Sequence, residues 1–288
     1  MDFNVITPET KPALLKAMRL EKNYRFGAGY TDLILELKKQ NTEGLTVINL
    51  AQLKDKNFTS IEKIASGLRI GVLTTAAGIV QDKIMEKNFP VLKEAANHLA
   101  SSQIRQVATL GGNLCTASPS GDVACALVAL NAECEILSVN GKLRVVPISG
   151  FFVGPRKTVL NKNEVLRSVK IPWNEKSRDI SSGFIKIGTR RSMECSVVSF
   201  AYHIQVNKKG IVTQAGIAIG AAAPTIRLAE EADFFLKGKN IRAISQHEKE
   251  AFAQIVLQYA SPISDIRASA WYRKEVLFNI SKSIFENK

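Results

Sequence analysis

One stretch constrains this chain more than any other: Gly111-Gly112-Asn113-Leu114-Cys115-Thr116-Ala117-Ser118-Pro119-Ser120-Gly121-Asp122. Small, polar and turn-forming residues in such a run make a poor helix and a poor strand, so its backbone is expected to serve another purpose. A shorter segment, Gly27-Ala28-Gly29-Tyr30-Thr31-Asp32, lies between the strand-like Tyr24–Ala28 and the helical Ile34–Lys38. Glycine at such places lets backbone N–H groups approach an anion with no Cβ in the way. The hydroxyls of Thr31, Thr109 and Thr116 add donors for phosphate oxygens, and Asp122 is an acceptor suited to ribose-type hydroxyls. By itself the first segment reads as a plain tight turn. It lacks the third glycine of the G-x-G-x-x-G dinucleotide fingerprint, and the chain holds no G-x-x-x-x-G-K-[ST] phosphate loop. The second segment is the more specific signal.

Hydrophobic periodicity places these segments in an α+β architecture. Residues 12–22 are helical, with Pro12 placed to open the helix. Tyr24–Ala28, Ile34–Lys38 and Leu45–Asn49 form a small β-α-β unit. Leu68–Gly71 reads as a strand, and Ala76–Lys87, Val91–Leu99 and Cys125–Asn131 as helices. Glu133–Ser138 and Leu143–Pro147 form a hairpin about Asn140-Gly141. Val165–Ile171 is a further strand. The charged segment Trp173–Ser182 marks a domain boundary, giving an N-terminal domain of about 175 residues and a smaller C-terminal one. The second domain is expected to hold a three-stranded antiparallel sheet (Ser182–Gly188, Ser196–Val206, Ile211–Ala221) and three helices (Ile226–Leu236, Gln246–Tyr259, Trp271–Phe285).

Composition excludes several classes. The N-terminus has no basic stretch followed by an apolar run, and no apolar run approaches a membrane span. The chain therefore reads as soluble and cytoplasmic. Cys115, Cys125, Cys134 and Cys195 form no C-x-x-C pair and do not cluster with the three histidines, so no metal or iron–sulfur site is expected in this chain. The formal charge of +13 suits nucleic acid in principle. However, the basic residues are dispersed from Lys11 to Lys288 and no nucleic-acid module is present, so a basic face toward acidic partners or an anionic nucleotide is the better reading.

Together the two glycine segments resemble a known family. Ala28–Leu33 (AGYTDL) is similar to the AGGTDL-type pyrophosphate loop, and Ala108–Asp122 (ATLGGNLCTASPSGD) to the second loop, of the flavin-binding domain shared by p-cresol methylhydroxylase and vanillyl-alcohol oxidase relatives. IRQVATLGGN (Ile104–Asn113), GFIKIGTRR (Gly183–Arg191) and SPISDIRASAWYRKEVL (Ser261–Leu277) look like the medium subunits of molybdenum hydroxylases such as xanthine, carbon monoxide and nicotinate dehydrogenases. The resemblance implies FAD lying extended between two subdomains, about residues 1–53 and 54–175, of an FAD-binding domain spanning 1–175, followed by a medium-subunit domain at 180–288. It implies pyrophosphate loops made of Ala28, Gly29, Tyr30, Thr31, Asp32 and Leu33 and of Thr109, Leu110, Gly111, Gly112 and Asn113. Thr116 adds a hydroxyl, Asp122 contacts ribose or ribityl hydroxyls, Leu166 packs near the cofactor, and Lys186 approaches it from the C-terminal domain. Tyr30 departs from the pattern, because the family has Gly or Asn there; if the position needs φ > 0, Tyr carries a steric cost.

The resemblance also implies partners. A large molybdopterin-binding subunit hydroxylates the substrate, a small subunit with [2Fe-2S] clusters relays electrons, and this subunit passes them to NAD⁺ or another acceptor. No residue reads as a general base or nucleophile, which suits a protein whose cofactor carries the chemistry. The alternative is a self-contained flavin oxidoreductase of the same superfamily, such as a UDP-N-acetylmuramate-forming reductase. The Ser261–Leu277 motif counts against it.

Overall fold

The computed structural model describes residues 2–173, 179–190 and 193–286. Its first unit is a parallel sheet of β1 (Asn4–Ile6), β2 (Tyr24–Gly27) and β3 (Thr46–Asn49), in the order β1-β3-β2. Parallel neighbours need crossovers, and α1 (Lys11–Leu20) and α2 (Leu33–Leu37) supply them. Thr10 caps α1 by accepting the N–H of Ala13, and Pro12 stands in the first turn, where its missing N–H leaves no acceptor wanting. The expected β-α-β unit is present. β1 is an addition: three residues are too few to show a period.

The second unit is an antiparallel sheet of β4 (Ile61–Ile64), β5 (Gly67–Gly71), β6 (Glu133–Ser138), β7 (Leu143–Pro147) and, after the short ribbon β8 (Phe152–Gly154) and β9 (Lys157–Thr158), β10 (Glu164–Pro172). Its order is β4-β5-β10-β6-β7. Gly141, at φ 79, closes the β6–β7 hairpin as its Asn-Gly turn predicts. The helices are α3 (Lys56–Thr59), α4 (Ala76–Gln81), α5 (Lys83–Asn88), α6 (Pro90–His98), α7 (Ser102–Val107), α8 (Leu110–Thr116) and α9 (Asp122–Ala129). The single helix expected over Ala76–Lys87 is broken at Asp82, whose carboxylate caps α5 by accepting the N–H groups of Ile84 and Met85.

The third unit pairs β11 (Asp179–Ile187), β12 (Val198–Val206) and β13 (Val212–Gly220) in antiparallel order, with α10 (Glu230–Leu236), α11 (Gln246–Gln258) and α12 (Ala270–Ser283) packed beside them. A fourth strand, β14 (Arg227–Leu228), takes the start of the expected helix Ile226–Leu236 and extends the sheet from three strands to four. Within the boundary segment Trp173–Ser182, residues 174–178 lie outside the described residues, as does Arg191. Every residue of α9 is buried, and the main core joins it to Ala201 and Ala218 of the third unit's sheet. At roughly 1.5–3 kcal/mol per fully buried Leu or Val, this shared helix fixes the second and third units against each other. Hydrogen bonds cross the same seam, among them Phe184 N to Glu94 Oε2 (2.7 Å) and Val91 N to Ser182 Oγ (3.2 Å). No helix among the described residues is long and apolar enough to cross a membrane.

Candidate functional site

The first glycine segment leaves the C-terminal end of β2 and enters α2. Its main chain is poor in internal partners: the N–H groups from Ala28 through Leu33 find no acceptor among the described residues, and pairing resumes at Ile34, which donates to Tyr30 O at 3.4 Å. A succession of free N–H groups in one turn is an anion-receiving concavity. Tyr30 holds φ 60, so the left-handed conformation that the sequence raised as a possibility is present, with a tyrosine in it. Packing offsets part of that cost. The ring folds back over Gly27, where a Cβ would lie 2.5 Å from it, and rests against Leu37, Leu45 and Val47. Burial pushes the Tyr30 phenol above its usual range, keeping it neutral.

Gly29 brings the two segments together. A Cβ there would stand 2.0 Å from the carbonyl oxygen of Val107, so the first turn touches the main chain two residues before Thr109.

The second segment corrects an expectation. Residues Leu110–Thr116 are helical rather than irregular. Thr109 caps this helix by accepting the N–H of Gly112 at 3.1 Å, and the helix ends at Ala117, at φ 47. The remaining N–H groups are also spent internally: Leu110 donates to Thr74 O, Gly111 to Val72 O and Asn113 to Thr109 O. Asn113 in turn caps α9, its Oδ1 accepting the N–H of Ala124 at 3.1 Å. This segment therefore presents hydroxyl protons, from Thr109 and Thr116, rather than backbone donors. Its two glycines differ. Gly111 is pressed onto Val72, where a Cβ would be 2.7 Å from the side chain, whereas a Cβ at Gly112 would meet only Thr109 Oγ1, at 3.1 Å. Gly112 is exposed and its surroundings are open.

Asp122, the first residue of α9, is 5% exposed and fully engaged. Its Oδ2 accepts from Lys186 Nζ at 2.5 Å and its Oδ1 from Ser196 Oγ at 2.8 Å. Burial pushes the carboxyl above the ordinary carboxylate range, against the opposing pull of Lys186 and Ser196. Asp122 and Lys186, expected as two separate cofactor contacts, thus form one buried ion pair across the seam; a sugar hydroxyl would have to use the lone pairs those two bonds leave. Ser196, which the sequence reading did not single out, completes the pair. Leu166 is 2% exposed within the main core, paired with Ile136 and in the same cluster as Leu110 and Leu114 of α8. Cys115 is exposed on α8.

A donor-lined turn at the end of a parallel strand, set against a second glycine segment, is the arrangement of a protein that binds an anionic nucleotide cofactor. The chain belongs to the FAD-binding family of the molybdopterin dehydrogenases: residues 1–174 match the FAD binding domain in molybdopterin dehydrogenase, and residues 184–287 match the CO dehydrogenase flavoprotein C-terminal domain. It is 31% identical over 257 residues to the xanthine dehydrogenase FAD-binding subunit of Escherichia coli O157:H7, covering 89% of this chain and 86% of that one. It is 27% identical over 292 residues to the nicotinate dehydrogenase FAD-subunit of Eubacterium barkeri, covering 99% and 95%. Its fold matches that of a chain of the CO dehydrogenase from Oligotropha carboxidovorans with a TM-score of 0.90 at 21% identity, over 99% of this chain and 97% of the other. The chain is therefore an FAD-binding, xanthine dehydrogenase-like medium subunit of oxidoreductase type.

Proposed function

We propose that this chain binds FAD with its diphosphate on the Ala28–Leu33 turn and serves as the electron-transferring subunit of a three-chain molybdenum hydroxylase in the cytoplasm. The observation that carries the reading is the run of free N–H groups at Ala28–Leu33, which suits the oxygens of a diphosphate. Thr31, Thr109 and Thr116 offer hydroxyl donors around it, and the open surface at Gly112 admits the cofactor where a side chain would intrude. Lys186, paired with Asp122, stands at the seam between the second and third units. FAD, when bound, supplies the redox chemistry; the residues of this chain bind it, orient it and keep charge and water in place around it. Residues 1–175 and 180–288 are taken as the two domains that share this work.

In this reading a molybdopterin-binding large subunit oxidises the substrate, and a small [2Fe-2S] subunit delivers the electrons that this chain hands to NAD⁺ or another acceptor. A partner-bound role is supported by the Ser261–Ala268 loop, which exposes apolar side chains while being pinned in place. Ile266 is fully exposed, and Ile263 and the neighbouring Trp271 are each 70% exposed. Beneath them the buried Arg273 donates to Val197 O (2.5 Å), Ala221 O (3.0 Å) and Asp265 Oδ1 (2.7 Å), while Asp265 accepts from the N–H groups of Arg267 and Ala268. Rigid apolar groups held in water are characteristic of an interaction surface. The test is affinity purification of a tagged chromosomal copy with flavin, metal and mass-spectrometric analysis. FAD, molybdenum, iron and two partner chains are expected; a lone protein that turns over an organic substrate without molybdenum would overturn the reading.

A further inference from the structure

Glu36 lies in α2, the helix that follows the donor-rich turn, and takes two arginines. Arg25 on β2 donates from Nη2 to its Oε2 at 2.8 Å, and Arg156 donates from Nη1 to its Oε1. Burial draws the Glu36 carboxyl up, but the two guanidiniums together carry it below the usual carboxylate range, so it is ionised. Arg25 and Glu36 flank Ala28–Leu33 within the first unit. Arg156 arrives from the second unit, at the turn between β8 and β9, where its own N–H donates to Ala117 O at 2.9 Å, at the end of α8. One residue thus ties the end of the second glycine segment to α2, the helix that follows the first.

Two details bear on Arg156. Like Tyr30 and Ala117, its backbone holds a left-handed conformation, φ 58, which carries a steric cost for an arginine. Its guanidinium is also mostly unused: Nη1 is on Glu36, whereas Nε and Nη2 have no acceptor among the described residues, and the side chain is 59% exposed. With two arginines on one glutamate, the cluster keeps one net positive charge beside the free N–H groups. We propose that Arg156 is a strap for the diphosphate: Glu36 holds Nη1, and the planar fork presents its remaining donors to the anion in the cleft between the two units. This rests on the FAD reading above and adds to it a contact from the opposite wall.

The experiment is a titration of the FAD-depleted full-length chain with FAD, followed by flavin fluorescence at increasing salt. At low salt Arg156→Ala binds FAD about ten- to a hundred-fold more weakly, as expected for lost charge-assisted hydrogen bonds. Arg156→Lys, which keeps the charge and loses the fork, falls between. The gap closes as the Debye length shrinks from about 30 Å at 0.01 M to about 3 Å at 1 M salt. Without FAD both variants melt as the wild type does, because an exposed ion pair contributes little to stability. Wild-type affinity in Arg156→Ala would overturn the strap. So would a loss that stays constant across salt, since that would make Arg156 a mechanical tie between units. A wild-type chain that takes up no FAD at all would instead defeat the FAD reading, and the strap with it.

Discussion

Replacing Gly29 with alanine tests whether the contact between the two glycine segments builds the cofactor cleft. The added Cβ would lie 2.0 Å from the Val107 carbonyl oxygen and 2.8 Å from its carbonyl carbon. Ordinary contact begins near 3.4 Å, so the two main chains must part by roughly 1.4 Å, the difference between 3.4 and 2.0. Neither partner is the flexible end of a side chain, so the strain cannot be shed by a rotamer change. Overpacking of this kind costs about 1–3 kcal/mol, which at roughly 2–4 °C per kcal/mol is a measurable fall in melting temperature. The functional consequence is larger than the structural one, because a binding site tolerates displacements of only about 0.5 Å; FAD affinity is expected to drop at least about tenfold, 1.4 kcal/mol. Gly112→Ala is the internal comparison. Its Cβ meets only Thr109 Oγ1 at 3.1 Å, so stability should hold while FAD affinity falls, and Gly112→Val should abolish binding. The assay is paired: thermal melts of the apo-protein and fluorescence titration with FAD. Gly29→Ala with native melting temperature and native affinity would refute the argument that the two turns are held in contact for the cofactor.

The other predictions follow from single contacts. Asp122→Ala leaves Lys186 buried without its partner and should destabilise the apo-protein by about 3–5 kcal/mol, whereas Asp122→Ala with Lys186→Met should recover most of that; equal losses in urea melts would contradict it. His203 is buried and its pKa is lowered by that burial to about 4, from an ordinary 6.5. Between those values the unfolded chain binds more protons, so stability is complete above pH 6.5 and falls by up to roughly 3 kcal/mol as the pH drops to 4. His203→Gln should flatten that acid limb in a pH series of melts. Ile266→Glu should leave FAD binding intact and reduce recovery of the partner chains on affinity purification, because it places a charge on an exposed apolar surface without touching either glycine segment.

The limits of sequence reading show most clearly in how the two glycine segments changed places. The run Gly111–Asp122 drew attention because its composition disfavours regular structure, yet it opens with a helix. Propensity is a weak prior that local and tertiary partners override. Here Thr109 caps the helix, Val72 and Thr74 accept its first N–H groups, and Gly111 fits against Val72 because it lacks a side chain. Val72 and Thr74 lie more than 30 residues from the N–H groups they accept and leave no mark on spacing. The shorter segment, which reads as an ordinary turn, is the one that keeps its backbone donors free. What was legible was what depends on neighbours in the chain: the Thr10–Pro12 helix start, the Asn140-Gly141 hairpin, the β-α-β unit and the three strands of the C-terminal sheet. What was not legible is what two distant segments make together. The Asp122–Lys186 bond spans 64 positions and the Arg156–Glu36 bond spans 120. Asp122 and Lys186 read singly as cofactor contacts and Glu36 and Arg156 drew no reading at all; only the packing of α9 against the third unit's sheet, and of the β8–β9 turn against the end of α8, gives those charges a partner. A site formed between units draws on such pairs, so motifs can reveal its loops but not its electrostatics. The salt dependence of FAD binding in Arg156 variants therefore tests the part of the site for which the sequence alone offered no signal.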